Sequence, residues 1–299
     1  MTMTKATPIL VSCLLAALAL AGCSSAPTGA NGAATSPAST FVHIHSVAVD
    51  PADSDTLWVA THRGIITGSG DAGWSYTGDD LSDYMGFSLH PTEAGVAYSS
   101  GHPTTGGNQG IRKSVDGAKT WTTIALPGKV DCHAMTISAP NTIYCLNSGG
   151  GLYRSTNGAD FSLAAATGLT IPTFAFATVP GEPTTLLAAT AKGIQRSVDR
   201  GETWSNYSAV GLPTTSLTFA ANNPSIAYAY FAGSNPGMQM SMDGGMTWHA
   251  TSGKLPVGLT AYSIGVDPQT PNIVYAAGGT TIAKSTDGGA SWAVIRSGS

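Results

Sequence analysis

Charge is what this sequence has least of. Asp, Glu, Lys and Arg make up 10% of its 299 residues, and the net formal charge is −4. With 13 Lys and Arg spread along the chain, no basic patch can be assembled to neutralise a run of phosphates, so nucleic acid is excluded as a partner. No Gly-x-Ser-x-Gly elbow and no Gly-rich phosphate loop occurs, which removes two common nucleophile and nucleotide arrangements. What is abundant is glycine, 37 residues, beside 42% hydrophobic residues, a globular and strand-leaning composition long enough to bury a large core.

Apart from Ser12, the stretch Ile9 to Leu20 is one apolar run. It follows a short start carrying Lys5 and ends at Leu20-Ala21-Gly22-Cys23. Residues 1–22 therefore read as an export leader. The closing tetrapeptide resembles a bacterial lipobox, which implies cleavage before Cys23 and a diacylglycerol on its thiol, placing the protein on the outer face of the cell membrane. An ordinary secretory leader is the plainer alternative. Apart from Cys23 and Asn31, residues 23–40 are Ser, Ala, Gly, Pro and Thr without apolar period or charge, a tether rather than a folded segment. Of the four cysteines, Cys13 lies in the leader and Cys23 is the lipid site. Cys132 and Cys145 remain, expected on neighbouring strands about one pair out of register, either as a disulfide or as two buried thiols.

Residues 41–299 repeat. Ser197-Val-Asp199-Arg-Gly201-Glu-Thr203-Trp204, Ser241-Met-Asp243-Gly-Gly245-Met-Thr247-Trp248 and Ser285-Thr-Asp287-Gly-Gly289-Ala-Ser291-Trp292 are near copies. Degenerate copies run from Ser69 with Asp71, from Ser114 with Asp116 and Ala118 in the glycine slot, and from Ser155 with Asn157. Their starting serines lie about 41 to 45 residues apart. The string resembles the Asp-box, or BNR, repeat. An aspartate at its third position can accept backbone N–H bonds within its own turn, glycine supplies positive φ, and the aromatic residue packs into the sheet, so these aspartates read as structural. Each unit shows short strands between turn signals, which predicts an all-β, six-bladed β-propeller of four-stranded antiparallel blades.

In such a disc, the start of each innermost strand and the turn between second and third strands share one face, where the channel opens; the Asp-boxes take the other. The sequence has seven histidines. His43, His45, His62, His102 and His133 all fall at mouth positions of blades 1–3, together with Asp83, Met85 and Asp131. His90 and His249 do not. Imidazole with carboxylate suits a transition metal, zinc or copper, and a thioether tilts toward copper. The topology predicts that His45, His62, His102 and His133 converge in one sector, and a one-residue slip in the first strand would swap which of His43 and His45 faces inward. A water-filled mouth of mutually bonded histidines is the bland reading.

The strings around these histidines resemble a group of exported bacterial Asp-box proteins often labelled glycosyl hydrolases. Sialidases, sortilin-type receptors and the photosystem II assembly factor resemble the repeat more distantly. Sialidases use three arginines and a Tyr–Glu pair. Here Arg63 alone reaches the mouth, Arg112, Arg154 and Arg196 lie on third strands, and Glu93, Glu182 and Glu202 fall in opposite-face turns, so that mechanism is disfavoured. Another glycosidase chemistry stays open through Asp79, Asp80, Asp83 and Asp131, although Asp79 and Asp80 read better as a solvated turn. The remaining alternative is a scaffold presenting loops, including Ser100 to Gly110, to a small ligand, a glycan or an envelope protein.

Overall fold

The computed structural model describes residues 41–70, 72–138 and 140–298. The leader, the lipid site Cys23, the tether and the box residue Asp71 lie outside the described residues. Six four-stranded antiparallel sheets follow one another along the chain, each in sequential strand order. Blade 1 comprises Ile44–Val49, Leu57–Thr61, Ile65–Ser69 and Ala72–Tyr76, and blade 6 comprises Ser263–Val266, Val274–Gly278, Thr281–Ser285 and Ala293–Ser297. Both terminal blades thus draw all four strands from within residues 44–297, and closure needs no strand from upstream. The ring shuts through packing. Val47 N donates to Ser263 Oγ at 3.0 Å, Ile44 N donates to Gly279 O at 2.7 Å, and Tyr275, Ala277 and Ile282 of blade 6 share a core with Phe41, Val47 and Val59 of blade 1.

Second strands show why the sequence forms blades. Leu57–Thr61, Leu186–Thr190 and Val274–Gly278 are buried at every position, because each is covered by a neighbouring blade on both faces. Such strands read as unbroken runs of apolar and small residues rather than alternating ones. Outer strands face water and shorten, down to His249–Ala250 in blade 5.

The Ser-x-Asp turns hold the third and outer strands together. In blade 5 Ser241 Oγ donates to Asp243 Oδ1 at 2.8 Å and accepts from Gly245 N at 2.8 Å. Asp243 Oδ1 accepts from Thr247 N at 2.9 Å, and Trp248 Nε1 donates to Gly245 O at 3.0 Å. The turns at Asp116, Asp199 and Asp287 repeat the serine and aspartate bonds. In blade 3 Asn157 Oδ1 takes the aspartate's place, accepting from Ala159 N and Asp160 N. These bonds hold the carboxyls of Asp116, Asp243 and Asp287 down at about 2. Ala118 sits at φ 57° where Gly201, Gly245 and Gly289 have 85° to 91°. A side chain there carries the strain that the glycines avoid.

Cys132 and Cys145 form a disulfide in blade 3, with Cα atoms 5.3 Å apart. In register Cys145 faces Met135 while Cys132 faces Asn147, and a bulge between Leu146 and Asn147 shifts the pairing where the bridge forms.

Candidate metal centres at the channel mouth

One residue from each inner strand, or from the position just before it, rings the mouth: His45, Met85, His133, Phe174, Ser216 and Tyr262 line a channel cavity of about 300 Å³. The expected histidines surround its blade 1–3 side, but the structure divides them into two triads rather than one cluster. The cause is topological. A histidine after the second strand reaches the aspartate that opens the next blade and no further, so His62 meets Asp83 and His102 meets Asp131.

The first triad joins blades 1 and 2. A bulge between Ile44 and Ser46 aims His45 at the site, leaving its ring largely covered. His45 Nε2 lies 3.3 Å from His62 Nδ1 and 3.1 Å from Asp83 Oδ1, and His62 Nδ1 lies 2.7 Å from Asp83 Oδ2. Two ligands of a tetrahedral ion bound at about 2.0–2.1 Å stand about 3.3–3.4 Å apart, so the imidazole nitrogens are already at ligand spacing. Asp83 Oδ1 is buried and has no hydrogen-bond partner, although His45 Nε2 is close to it. His43, just ahead of the strand, brings its ring centroid within 5.1 Å of that of His45 and 5.2 Å of that of His62, beside the triad rather than in it. Partial burial, with His45 and His62 beside it, lowers the His43 pKa, which favours the neutral form that ligates metals.

The second triad joins blades 2 and 3. Its carboxylate, Asp131, is almost wholly buried. Asp131 Oδ2 lies 2.7 Å from His133 Nε2 and 3.2 Å from His102 Nε2, and it accepts from Ser148 Oγ at 3.1 Å. Asp131 Oδ1 has no hydrogen-bond partner. His102 Nδ1 lies 2.8 Å from the carbonyl of Gly107, so it must donate, and a neutral His102 then turns the lone pair of Nε2 toward a carboxylate oxygen. Lone pair against carboxylate is repulsive until a proton or a metal ion stands between them.

Burial pushes the carboxyls of both Asp83 and Asp131 upward, and the imidazoles beside each outweigh it, leaving both below the usual range. Asp80 differs. It is half-buried, not a solvated turn residue, and accepts from Arg112 Nη2 at 2.6 Å and from Ser82 N at 3.0 Å. Arg112, expected at the far end of its strand, instead places its guanidinium between that carboxylate and the rings of Tyr84 and Trp121. Composition held no signal for this pair, because its members are 32 residues apart.

Met85 lines the channel wall between His45 and His133. It occupies in Asp83-Tyr84-Met85 the place that His133 has in Asp131-Cys132-His133. His90 stands apart, buried in the opposite-face turn with Nε2 2.8 Å from Pro140 O, and His249 lies on an outer strand.

Fold and channel define a six-bladed β-propeller with a histidine-lined mouth. A family model described as the DUF6242 beta propeller domain matches residues 98–238. The chain is similar to the GH74 xyloglucanase of Xanthomonas campestris at 17% identity and a TM-score of 0.62, over 86% of this chain and 45% of that one. It is similar to the GH74 enzyme of Niastella koreensis at 17% identity and 0.65, over 89% and 47%. It thus spans less than half the length of those enzymes. YCF48 from Cyanidioschyzon merolae matches at 14% identity and 0.52, over 87% and 88% of the two chains. These likenesses establish the fold alone. No curated protein matches the sequence.

Proposed function

We propose that this chain is an exported, lipid-anchored Asp-box propeller that binds divalent transition-metal ions at its channel mouth, one at each His/Asp/His triad. The observation that carries the reading is the first triad, where two imidazole nitrogens and a carboxylate lie 2.7 to 3.3 Å apart around one point. Two nitrogens and an oxygen are the donor set of zinc sites that keep an open position, and copper(II) binds the same set more tightly. The Gly107 carbonyl on His102 is the outer-shell bond that ligating histidines usually make. The repeated Ser-x-Asp turns support the Asp-box reading, and the Leu20 to Cys23 string supports the lipid anchor. Glycoside hydrolysis fits less well, because Asp83 and Asp131 are each engaged by histidines rather than free to act on a sugar as acid and base.

Metal analysis of protein purified without a histidine tag, after loading with zinc or copper(II) and desalting, tests the proposal. We expect about two ions per chain, falling to about one in His62→Ala and in His102→Ala. Parent metal content indistinguishable from that of the His62→Ala/His102→Ala double variant would overturn it and leave the mouth as a hydrogen-bonded rim.

A further inference from the structure

Exposed large apolar side chains are distributed unevenly over the mouth. Ile171, Val210, Leu212 and Val257 are 44 to 106% exposed and belong to the segments that lead into the inner strands of blades 4, 5 and 6, next to Phe174 and Tyr262 at the channel wall. Backbone bonds tie two of these segments to turns between second and third strands, Ala191 N donating to Pro172 O and Gly211 N to Lys192 O, and the third to the end of a second strand, Tyr262 N donating to Ala277 O. They therefore form a crescent on the mouth face, opposite the histidines. Segments 168–173, 209–214 and 251–263 of that crescent, with the turns 190–193, 231–237 and 279–281, contain no Asp or Glu, and they carry exposed Lys192 and Lys254. The four mouth carboxylates, Asp79, Asp80, Asp83 and Asp131, are all on the other half. Water-facing apolar patches of this kind mark binding surfaces, and the two cations choose among occupants.

The chain also enters the propeller on this face. Ile44 N bonds the carbonyl of Gly279 in the second-to-third-strand turn of blade 6, and 40 residues precede Phe41. We infer that the crescent of blades 4–6 docks on an anionic lipid bilayer, with Ile171, Val210, Leu212 and Val257 entering the interface and Lys192 and Lys254 on the headgroups. Apolar burial supplies the adhesion, the lysines select negatively charged lipid, and the absence of carboxylates removes the repulsion that the histidine half would meet. The inference rests on the exported, membrane-anchored reading.

The propeller alone, residues 41–299, suits the test, since its first and last blades pack on each other and no upstream strand is needed. Its co-sedimentation is measured with vesicles of phosphatidylcholine alone and with added phosphatidylglycerol. We expect binding to the mixed vesicles that weakens with salt. Ile171→Asp/Val257→Asp should weaken it by about tenfold or more, and Lys192→Glu/Lys254→Glu by a few-fold. Val115→Asp/Met242→Asp, on the opposite face, should bind like the parent, and all variants should melt as it does. Absence of binding to the mixed vesicles, or equal loss in the opposite-face variant, overturns the inference. Capture of monomeric short-chain phosphatidylglycerol without vesicle binding also overturns it and assigns the crescent to a soluble lipid. Metal content is read separately on the same samples, so failure here and failure of the metal centres are distinguishable.

Discussion

The mouths of blades 1–3 and blades 4–6 are built on one backbone plan and carry opposite chemistry. In the first half, inner strands offer His45, Met85 and His133, beside the half-buried Asp83 and the buried Asp131. In the second half the same positions hold Phe174, Ser216 and Tyr262, and the surrounding links are apolar. Buried second strands are alike in both halves, and the Ser-x-Asp bonds at Asp116 repeat those of blades 4–6, so the blade tolerates either set at its rim. Rim positions contribute little to the interblade cores, which leaves function free to differ between repeats that packing holds alike.

The largest expected effect is on metal affinity. His45→Ala/His62→Ala should weaken zinc binding at the first triad by more than about 100-fold, whereas Phe174→Ala/Tyr262→Ala should leave it unchanged. Titration calorimetry of the two proteins makes the comparison, and equal losses would abolish the division into halves. Next in size is Cys145→Ser in blade 3. Removing the Cys132–Cys145 bridge should cost about 2–4 kcal/mol in denaturant melts under oxidising conditions, with no loss in reducing buffer, where both proteins lack the bond.

Ala118→Gly should raise stability by about 1 kcal/mol, because it relieves the left-handed strain at the one box with alanine in the glycine slot. No gain in the melting midpoint would show that the lost methyl packing matches the strain. The smallest effect is shared by the halves. Carboxyls of Asp116, Asp243 and Asp287 at about 2 lie below their usual value, so the unfolded chain binds more protons. Their contribution is complete above about pH 4 and is lost as pH falls toward 2. Asp116→Asn and Asp243→Asn should each flatten the acid side of the melting profile, in blade 2 and blade 5 alike. A difference between the two would mean that the base face, too, distinguishes the halves.

The six repeats were legible because each box is a local structure: its aspartate, glycine and aromatic residue act within eight consecutive positions, and their spacing counts the blades. Mouth residues were legible for the same reason, since strand polarity assigns His62 or Asp131 to a face without any contact being known. The triads were not. Whether His102 joins His45 or Asp131 depends on how far a side chain reaches across one blade boundary, and sequence spacing holds no such distance. The apolar crescent also escaped notice, because Ile171, Leu212 and Val257 read as ordinary link residues until their exposure is known.

By itself, the sequence determined the periodic backbone: how many blades, which strands are buried on both sides, which turns are tied by a carboxylate, and which face gathers histidine. Those follow from interactions within a turn or between adjacent strands, where order along the chain is order in space. Tertiary structure alone decided the pairing of His45, His62 and Asp83 and of His102, Asp131 and His133, the burial of Arg112 against Asp80, and the bridging of Cys132 to Cys145. Each depends on how far a side chain reaches across a blade boundary or on a bulge at the rim, and spacing along the chain holds no such distance.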